Sequence, residues 1–457
     1  MIYGNLNKPN GIHEIRRDSN KKGKLLMKNI FTEMQIDLRQ MILALETAVD
    51  LVGMNDNNHG KRVAYIASQI GYHLGFSEQS VQFTFELGLL HDCGVSSEQM
   101  HNSLVNHFDW EEAHIHCEIG YRLLKDFEPL ARFAIPILYH HTHWAELTKK
   151  EELNSQERRM ANLIFLADRM DVSAAAHYGK DILLARKEIV RNITEYSGTY
   201  FDPAIVEAFL KAESSEAFWI ALEDRHVTRF TWDMSQFESK QILTIPQLEQ
   251  LSLIMSYIVD QKSPFTAQHS VRVGCLARYL AESYGLFEEQ CKKIEIAGFL
   301  HDIGKLRMPD YILEKRGPLN DIERSIMNQH SYETFEILRH IDGLEDIARW
   351  AAYHHEGVSG TGYPFHPAKM DFSIEARIIA VADVFQALVQ DRPYRAGMAL
   401  EKILAILGEL VDKGQLDPDI VVLAHKHQHK CFEIAQGFCE ENKRLEAFIF
   451  PGLRTAQ

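Results

Sequence analysis

The sequence predicts an all-α protein of two tandem domains, in which the first domain is a degenerate copy of the second. Apolar residues recur at three- and four-residue steps along most of the chain, which is the spacing of amphipathic helices. Alternation of β-branched and polar residues is scarce. A set of histidines and aspartates also occurs twice at a nearly constant separation. With 457 residues, the chain is long enough for two domains that each bury a core.

Hydrophobic residues make up 46% of the chain and charged residues 25%, which is typical of a soluble globular protein. No apolar run reaches the roughly 18–20 residues of a transmembrane helix, and the N-terminus lacks the basic-then-apolar order of a signal peptide. We therefore expect a cytoplasmic protein without a membrane span. The cysteines form no CxxC pair and are expected to be buried or free thiols: Cys93, Cys117, Cys275, Cys291, Cys431 and Cys439.

The net charge of −15 argues against a nucleic-acid polymer as partner, because phosphate backbones are bound by basic surfaces. A small anionic ligand is compatible with this charge, since a metal ion and a few arginines dominate the field locally. The 23 histidines are the unusual feature of the composition, and their positions decide the functional interpretation.

The chain divides into an arm, two domains and a joining segment. Residues 1–33 are expected to be a disordered arm or an upstream extension, because most of them are polar and aperiodic. Helical periodicity begins at Met34, and we place the first domain at 34–224 and the second at 236–457. Residues 235–261 are expected to join the domains as a helix that also begins the second. Pro246 would lie in its first turn, where a missing N–H costs little.

The strongest sign of this organisation is an internal repeat. Two small insertions bring the histidines and aspartates of both halves into register, and GLLHDCG (88–94) matches GFLHDIG (298–304). Duplication of one helical domain explains this register. The paired residues are separated by 210 positions for His59 and His269 and for His91-Asp92 and His301-Asp302, by 214 for His116 and His330 and for His140-His141 and His354-His355, and by 215 for Asp168 and Asp383.

The second copy carries a candidate metal site of five imidazoles and two carboxylates. These ligands suit two divalent ions such as Fe, Mn, Co or Ni, and the absence of cysteine disfavours a structural zinc site. A metal pair roughly 3.5–4 Å apart suits phosphodiester hydrolysis, because it generates hydroxide at neutral pH and neutralises developing charge. Asp302 can bridge both ions with its two oxygens. The candidate ligands are His269, His301, Asp302, His330, His354, His355 and Asp383.

Three motifs in this order resemble the HD-GYP family: HDIGK (301–305), HHEGVSGTGYP (354–364) and VADVFQALVQDRPYR (381–395). The resemblance covers residues 255 to about 425. It implies an all-helical HD-type domain, which the repeat extends to two in tandem, and a metal-dependent phosphohydrolase that cleaves cyclic di-GMP or, in related members, 3′,3′-cGAMP. Tandem HD-GYP chains without a receiver domain resemble some members that degrade cGAMP.

The resemblance also implies a role for each matching residue. Asp302 and Lys305 would be catalytic, with Lys305 acting on the phosphate or the leaving oxygen. Gly362, Tyr363 and Pro364 would shape a substrate lip, and Arg392 and Arg395 would meet phosphate or base. One ion would be held by His269, His301, Asp302 and Asp383, and the other by Asp302, His330, His354 and His355.

The chain departs from the family pattern at three positions. Ser359 stands where the family often has an aspartate before the GxGYP sequence, and Gln386 stands where it often has an acidic residue. Both departures bear on the protein's contacts with the base or ribose of the substrate more than on the hydrolysis itself. Phe265 occupies the place of a glutamate found in members with three metals, so we expect two metals.

The first copy keeps a full set of ligand types, but it lacks other parts of the motif. Val95 stands in the place of Lys305, and no GYP lip or DRPYR sequence follows. We expect a regulatory or dimerisation domain that either binds metal or keeps its histidines only as packing. The candidate second metal site is His59, His91, Asp92, His116, His140, His141 and Asp168.

Two alternatives to cyclic dinucleotide hydrolysis remain open at the level of sequence. One is an HD phosphohydrolase that acts on another nucleotide, which the GYP lip and DRPYR disfavour. The other is a receptor for cyclic dinucleotides or a scaffold for diguanylate-cyclase-type proteins, which the intact ligands and Lys305 disfavour. The sequence alone does not decide between cGAMP and cyclic di-GMP, nor whether the chain forms a homodimer.

Overall fold

The computed structural model describes residues 34–52, 58–95, 97–106, 108, 111–236, 240–262, 268–368, 371–391 and 396–438. Within these ranges the regular secondary structure is helical apart from one two-stranded ribbon and an isolated bridge, which confirms the predicted all-α class. The predicted arm 1–33 lies outside the described residues, as do Phe265, Arg392, Arg395 and Cys439.

The first half of the chain contains strand β1 and helices α1 to α12. Short 3₁₀ turns at Glu111–Ala113 and Ala175–His177 interrupt the series. The elements are β1 Ile36–Asp37, α1 Leu38–Asp50, α2 His59–His73, α3 Glu78–Leu90, α4 Glu98–Asn106, α5 His114–Leu124, α6 Ala131–Tyr139, α7 Trp144–Leu147, α8 Ser155–Ala174, α9 Ile182–Glu195, α10 Pro203–Ala212, α11 Glu216–Ile220 and α12 Asp224–Ser235.

The second half contains strand β2 and helices α13 to α23, with a 3₁₀ helix at Ile303–Arg307. The elements are β2 Ile242–Leu243, α13 Ile245–Asp260, α14 His269–Tyr284, α15 Glu288–Leu300, α16 Asp310–Leu313, α17 Asp321–Met327, α18 His330–Leu338, α19 Glu345–Ala352, α20 Ile374–Val389, α21 Leu400–Asp412, α22 Pro418–Lys426 and α23 Gln428–Ala435.

Helices begin at corresponding residues in the two halves, as duplication predicts. Helix α2 begins at His59 and α14 at His269. Helices α10 and α22 each begin with proline, and the aspartate before it accepts a hydrogen bond from a backbone amide of the first turn. The repeated aspartate-proline pairs therefore encode the same helix start twice.

The ribbon joins the beginnings of the two halves. Strand β1 pairs antiparallel with β2, so that Ile36 faces Leu243 and Asp37 faces Ile242. The predicted helix from Met34 therefore starts only at Leu38, after the strand. In the joining segment, the predicted helix is correct from Ile245 onward, but Ile242–Leu243 is a strand.

Local sequence explains where helix α13 begins. Thr244 and Gln247 form a capping box, in which each side chain meets a backbone amide of the other residue. Pro246 lies in the first turn, as predicted. Helix α12, which begins at the predicted end of the first domain, packs against α2, because Phe230 lies edge-on to Tyr65 with ring centroids 5.0 Å apart.

Two glutamines in register hold the halves together. Gln40 of α1 donates to Asp342 Oδ2 at 3.0 Å and accepts from the Asp342 amide at 2.9 Å. Gln250 of α13, which is 210 positions later, donates to the Asp126 carbonyl at 3.1 Å. Each half therefore uses its first helix to reach the turn that follows the histidine-bearing helix of the other half.

Close helix crossings place the histidine-aspartate pairs. A Cβ on Gly88 of α3 would lie 2.5 Å from Ala64 Cα of α2, and a Cβ on Gly298 of α15 would lie 2.6 Å from Gly274 Cα of α14. Only glycine permits these backbone approaches. Each crossing brings the end of one ligand-bearing helix near the start of another.

None of the helices that the structure describes has the length and hydropathy of a membrane-spanning segment.

Candidate metal centre

The second half brings all seven predicted ligands into one buried cluster. Most of them lie at helix ends, where neighbouring side chains can diverge toward different ions. His269 and His330 are the first residues of α14 and α18, whereas Asp383 projects from the middle of α20. His301 and Asp302 directly follow the last residue of α15. His354 and His355 lie just beyond the end of α19.

The Asp302 carboxylate lies between two groups of imidazoles. Its Oδ2 atom is 3.2 Å from His301 Nε2 and 3.7 Å from His269 Nε2. Its Oδ1 atom is 3.5 Å from His330 Nε2 and 3.7 Å from His354 Nε2. These separations suit ligand atoms arranged around a common ion, because each ligand then lies about 2 Å from the metal. The two oxygens of one carboxylate thus face two different ligand groups.

The remaining ligand atoms complete the two groups. Asp383 Oδ1 lies 3.2 Å from His269 Nε2 and 3.9 Å from His301 Nε2. His355 joins His330 and His354 in the second group, whose ligand atoms all lie within 4.8 Å of one another.

Two histidines of the second group point lone pairs at each other. His330 Nδ1 is 2.6 Å from the Met327 carbonyl, and His354 Nδ1 is 2.7 Å from the Ala351 carbonyl. A carbonyl oxygen only accepts, so both Nδ1 atoms carry the proton and both neutral rings expose an Nε2 lone pair. The two Nε2 atoms are 3.2 Å apart. A cation between them relieves the repulsion, so the residues fit a metal ion.

Burial keeps these imidazoles neutral. Desolvation, with the neighbouring His355 and Lys305, lowers the pKa of His330 to about 3. Burial likewise lowers the pKa of His355 to about 4. Although burial opposes ionisation, the surrounding histidines and Lys305 hold the pKa of Asp302 well below its usual value. Neutral imidazoles and an ionised carboxylate are the forms that bind metal.

Lys305 and the GYP segment lie at the same centre. The Lys305 ammonium donates to Asp302 Oδ2, and the ring of Tyr363 lies 4.9 Å from that of His355. A Cβ on Gly362 would lie 2.3 Å from Glu356 Cα, so glycine is required for this packing. Pro364 follows Tyr363 through a cis peptide bond and is half-buried. The structure therefore brings Lys305 and Tyr363 to the cluster, with Gly362 and Pro364 on either side of Tyr363 in the chain, whereas Arg392 and Arg395 lie outside the described residues.

The two substituted family positions have different surroundings. Ser359 is exposed, and its hydroxyl lies 2.9 Å from the Thr361 hydroxyl. Gln386 is fully buried on α20, and neither its amide oxygen nor its amide nitrogen has a hydrogen-bond partner among the described residues.

Two carboxylates that support the site were missed from the sequence. Glu356 is buried and accepts from the amides of Phe365 and His366 at 2.6 and 3.1 Å, which fixes the GYP segment beside the histidine pair. Asp260 accepts from the amide and hydroxyl of Ser270 and so fixes the start of α14. Burial raises the pKa of Asp260 to about 7. Glu356 follows the histidine pair directly, and Asp260 repeats Asp50 at the register of 210.

Replacing Gly304 with alanine should destabilise the centre. A Cβ there would lie 2.1 Å from the His330 carbonyl, so α18 must move and carry His330 away from Asp302. We expect a loss of about 2 kcal/mol of stability or more, together with a fall in bound metal. Gly408→Ala is the control, because nothing lies within 4 Å of a Cβ on this α21 residue. Thermal unfolding and metal analysis of both variants test this, and equal behaviour would contradict it.

The first half assembles all seven of its predicted residues as well. Asp92 Oδ1 lies 3.2 Å from His116 Nε2 and 3.9 Å from His140 Nε2. Its Oδ2 atom lies 3.4 Å from His91 Nε2 and 3.7 Å from His59 Nε2. Asp168 approaches the cluster with Oδ1 at 3.4 Å from His59 Nε2 and Oδ2 at 3.6 Å from His141 Nε2. The divided geometry of the second centre is therefore repeated.

Three side chains distinguish the first centre from the second. The Arg169 guanidinium donates hydrogen bonds to both carboxylate oxygens of Asp168, with Nη2 at 2.8 and 3.0 Å from them. Asp171 accepts from His59 Nδ1 at 2.8 Å. Although burial opposes protonation, Asp168 and Asp171 hold the pKa of His59 well above its usual value. Cys117 adds a buried thiol, whose pKa His116 and His140 lower to about 6 despite burial.

The five described cysteines are buried and form no disulfide with one another, as the sequence predicts: Cys93, Cys117, Cys275, Cys291 and Cys431. Cys117 alone among these five lies in a group of candidate metal ligands.

Comparison with known proteins agrees with this geometry. The HD-domain family matches residues 253–420 and again residues 58–173, which are the two halves that carry the clusters. Fold and site together define a protein with two tandem HD domains, a metal-dependent class.

Comparison with individual relatives identifies the family within the HD-domain proteins. It is 36% identical to 3′3′-cGAMP-specific phosphodiesterase 1 of Vibrio cholerae, over 90% of this chain and 96% of the relative. The crystal structure of the V. cholerae cyclic GMP-AMP-specific phosphodiesterase V-cGAP3 matches with a TM-score of 0.61 and 25% identity, over 86% of this chain and 98% of that chain. A cyclic di-GMP phosphodiesterase response regulator of Xanthomonas campestris is 32% identical, over 46% of this chain and 53% of the relative. The chain belongs to the HD-GYP family of cyclic dinucleotide phosphodiesterases.

Proposed function

We propose that the second domain binds two divalent ions, one at each oxygen of Asp302, and hydrolyses 3′,3′-cGAMP to a linear dinucleotide. The observation that carries this proposal is the division of the ligands around that one carboxylate. The Oδ2 side holds His269, His301 and Asp383, and the Oδ1 side holds His330, His354 and His355.

Fe, Mn, Co and Ni are the expected ions, because the ligands are imidazoles and carboxylates without a thiolate. When bound, such a pair supplies hydroxide at neutral pH and neutralises charge on the phosphoryl oxygens. Burial lowers the pKa of His330, His354 and His355 and so keeps these imidazoles deprotonated, and the histidine neighbours of Asp302 and Asp383 keep both carboxylates ionised.

The other residues of the centre act on the substrate. The Lys305 ammonium reaches the same carboxylate and is placed to hold a phosphoryl oxygen or the leaving oxygen. Glu356 fixes the segment that carries Gly362, Tyr363 and Pro364, so these residues form one wall for the nucleotide. We assign Arg392 and Arg395 to phosphate or base contacts on their motif alone.

Alignment over the whole chain favours 3′,3′-cGAMP over cyclic di-GMP. The relatives that match both halves are named for 3′3′-cGAMP, whereas the cyclic di-GMP enzyme of X. campestris matches about half of the chain. Ser359 and Gln386, which replace acidic residues common in the family, also support altered recognition of one base.

For the first domain we propose a regulatory or dimerisation role without turnover. Val95 stands where the second domain has Lys305, and Thr142 stands where it has Glu356, so neither the ammonium nor the anchor of the lip is present. A homodimer and a diguanylate-cyclase-type partner are the associations that this role suggests.

Anaerobic purification followed by metal analysis and product chromatography tests the proposed function. We expect 3′,3′-cGAMP to be converted to a linear product faster than cyclic di-GMP or cyclic di-AMP, and chelation to stop the reaction. Hydrolysis of linear nucleotides alone would favour the general phosphohydrolase. A ligand-induced rise in melting temperature without any product would favour a receptor or scaffold.

A further inference from the structure

The first domain contains a group of candidate metal ligands that includes a thiol, which the corresponding group of the second domain lacks. We call it the thiol pocket and define it by the four residues whose ligand atoms lie within 4.8 Å of one another: His116, Cys117, His140 and His141. His116, Cys117 and His140 are almost fully buried. The corresponding residue of the second domain at position 117 is Ser331, so the sulfur is particular to the first domain.

The atoms of the thiol pocket are oriented as ligands. His140 donates from Nδ1 to the Ile137 carbonyl at 2.7 Å, which leaves an Nε2 lone pair directed at His116 Nε2, 3.2 Å away. Cys117 Sγ lies 3.8 Å from that same His116 atom. His141 Nε2 is buried and makes no hydrogen bond among the described residues. Asp92 Oδ1 adds a carboxylate oxygen at 3.2 Å from His116 Nε2.

On the other side of Asp92, a guanidinium already supplies positive charge. Arg169 is buried and directs Nε and Nη2 at Asp168 at 2.8 to 3.1 Å. It also donates to the Phe108 carbonyl at 3.2 Å, which fixes its position. The second domain has Val384 in the place of Arg169 and Asp383 in the place of Asp168. A fixed cation that engages both oxygens of a ligand competes with a divalent ion for that carboxylate.

We propose that the first domain holds a single divalent ion of the zinc type in the thiol pocket, and that the Arg169 guanidinium replaces a second ion beside Asp168. Three imidazoles and one thiolate offer four ligands of the nitrogen and sulfur types that bind zinc in four-coordinate sites. The second domain offers no thiolate and therefore selects different ions. This site is independent of hydrolysis by the second domain.

Cobalt substitution of the full chain tests the thiol pocket without relying on activity. Thiolate coordination gives Co²⁺ a charge-transfer absorption in the near ultraviolet, and the second-domain ligand set contains no cysteine. We expect this absorption in the wild type, its loss in Cys117→Ser, and its retention in Cys275→Ser, which replaces a buried thiol of α14. Absence of the absorption from the wild type, or its persistence in Cys117→Ser, would overturn the proposal.

Metal content per chain tests the role of Arg169. We expect the wild type to bind three ions, two in the second domain and one in the first. His116→Ala should lose one ion, whereas His59→Ala, on the Arg169 side, should lose none. Arg169→Val, which copies Val384, should gain one ion. Four ions in the wild type, or loss of an ion from His59→Ala, would overturn the single-ion assignment. An inactive enzyme with the cobalt absorption intact would count against the proposed function alone.

Discussion

Asp302→Asn should abolish hydrolysis of 3′,3′-cGAMP, whereas Asp92→Asn should leave it nearly unchanged. Asparagine keeps the volume of the side chain but removes the negative charge that both ligand groups of the second domain share. We expect kcat/KM to fall by at least about a thousand-fold, or about 4 kcal/mol of transition-state stabilisation. The affinity of that domain for both proposed metal ions should fall together, because one oxygen of Asp302 faces each of the two ligand groups.

Asp92 is the matched control for this substitution. It stands 210 positions earlier in the same motif and contacts the corresponding histidines of the first domain. Product formation and second-domain metal content are measured for both variants under the same anaerobic conditions. Equal losses of activity would contradict the division of labour between the domains, and so would an active Asp302→Asn protein.

Lys305→Met should lower kcat about a hundred- to a thousand-fold while leaving the metal content unchanged. Methionine keeps most of the aliphatic length of lysine and removes only the ammonium that reaches Asp302. Lys305 is not a ligand, so its loss should affect charge that develops on the phosphoryl or leaving oxygen. Single-turnover kinetics together with metal analysis separate this effect from loss of the ions.

Lys305→Arg provides the comparison for the lysine. Arginine restores the charge with a different shape, so we expect a partial recovery of kcat. A Lys305→Met protein that turns over at the wild-type rate would show that the ammonium is outside the reaction. Loss of metal from that variant would instead assign Lys305 to the assembly of the centre.

The residues of the two histidine-aspartate clusters could be predicted from the sequence because duplication places each of them in register twice. A single HD pair carries little information, whereas recurrence at separations of 210 to 215 positions requires a shared structure. The all-α class followed from helical periodicity, and the start of α13 followed from proline in the first turn. These features depend on local sequence and on repetition, so three-dimensional contacts were not needed to find them.

The side chains that set the two centres apart depend on contacts that the sequence does not contain. Nothing in the periodicity indicates that Arg169 turns toward Asp168, or that Cys117 lies beside His116. The ribbon between β1 and β2 was missed for the same reason, since two short strands far apart in the chain have no pattern long enough to recognise. In the sequence nothing distinguishes Glu356 from a surface glutamate, because its role depends on the contact with the Phe365 amide.

Anomalous diffraction at the metal absorption edges, from crystals of the anaerobically purified full chain, is the most direct test of the proposed centre. We expect two peaks roughly 3.5–4 Å apart in the second domain, with one oxygen of Asp302 at each. A single peak, or none, among His269, His301, His330, His354, His355 and Asp383 would contradict it.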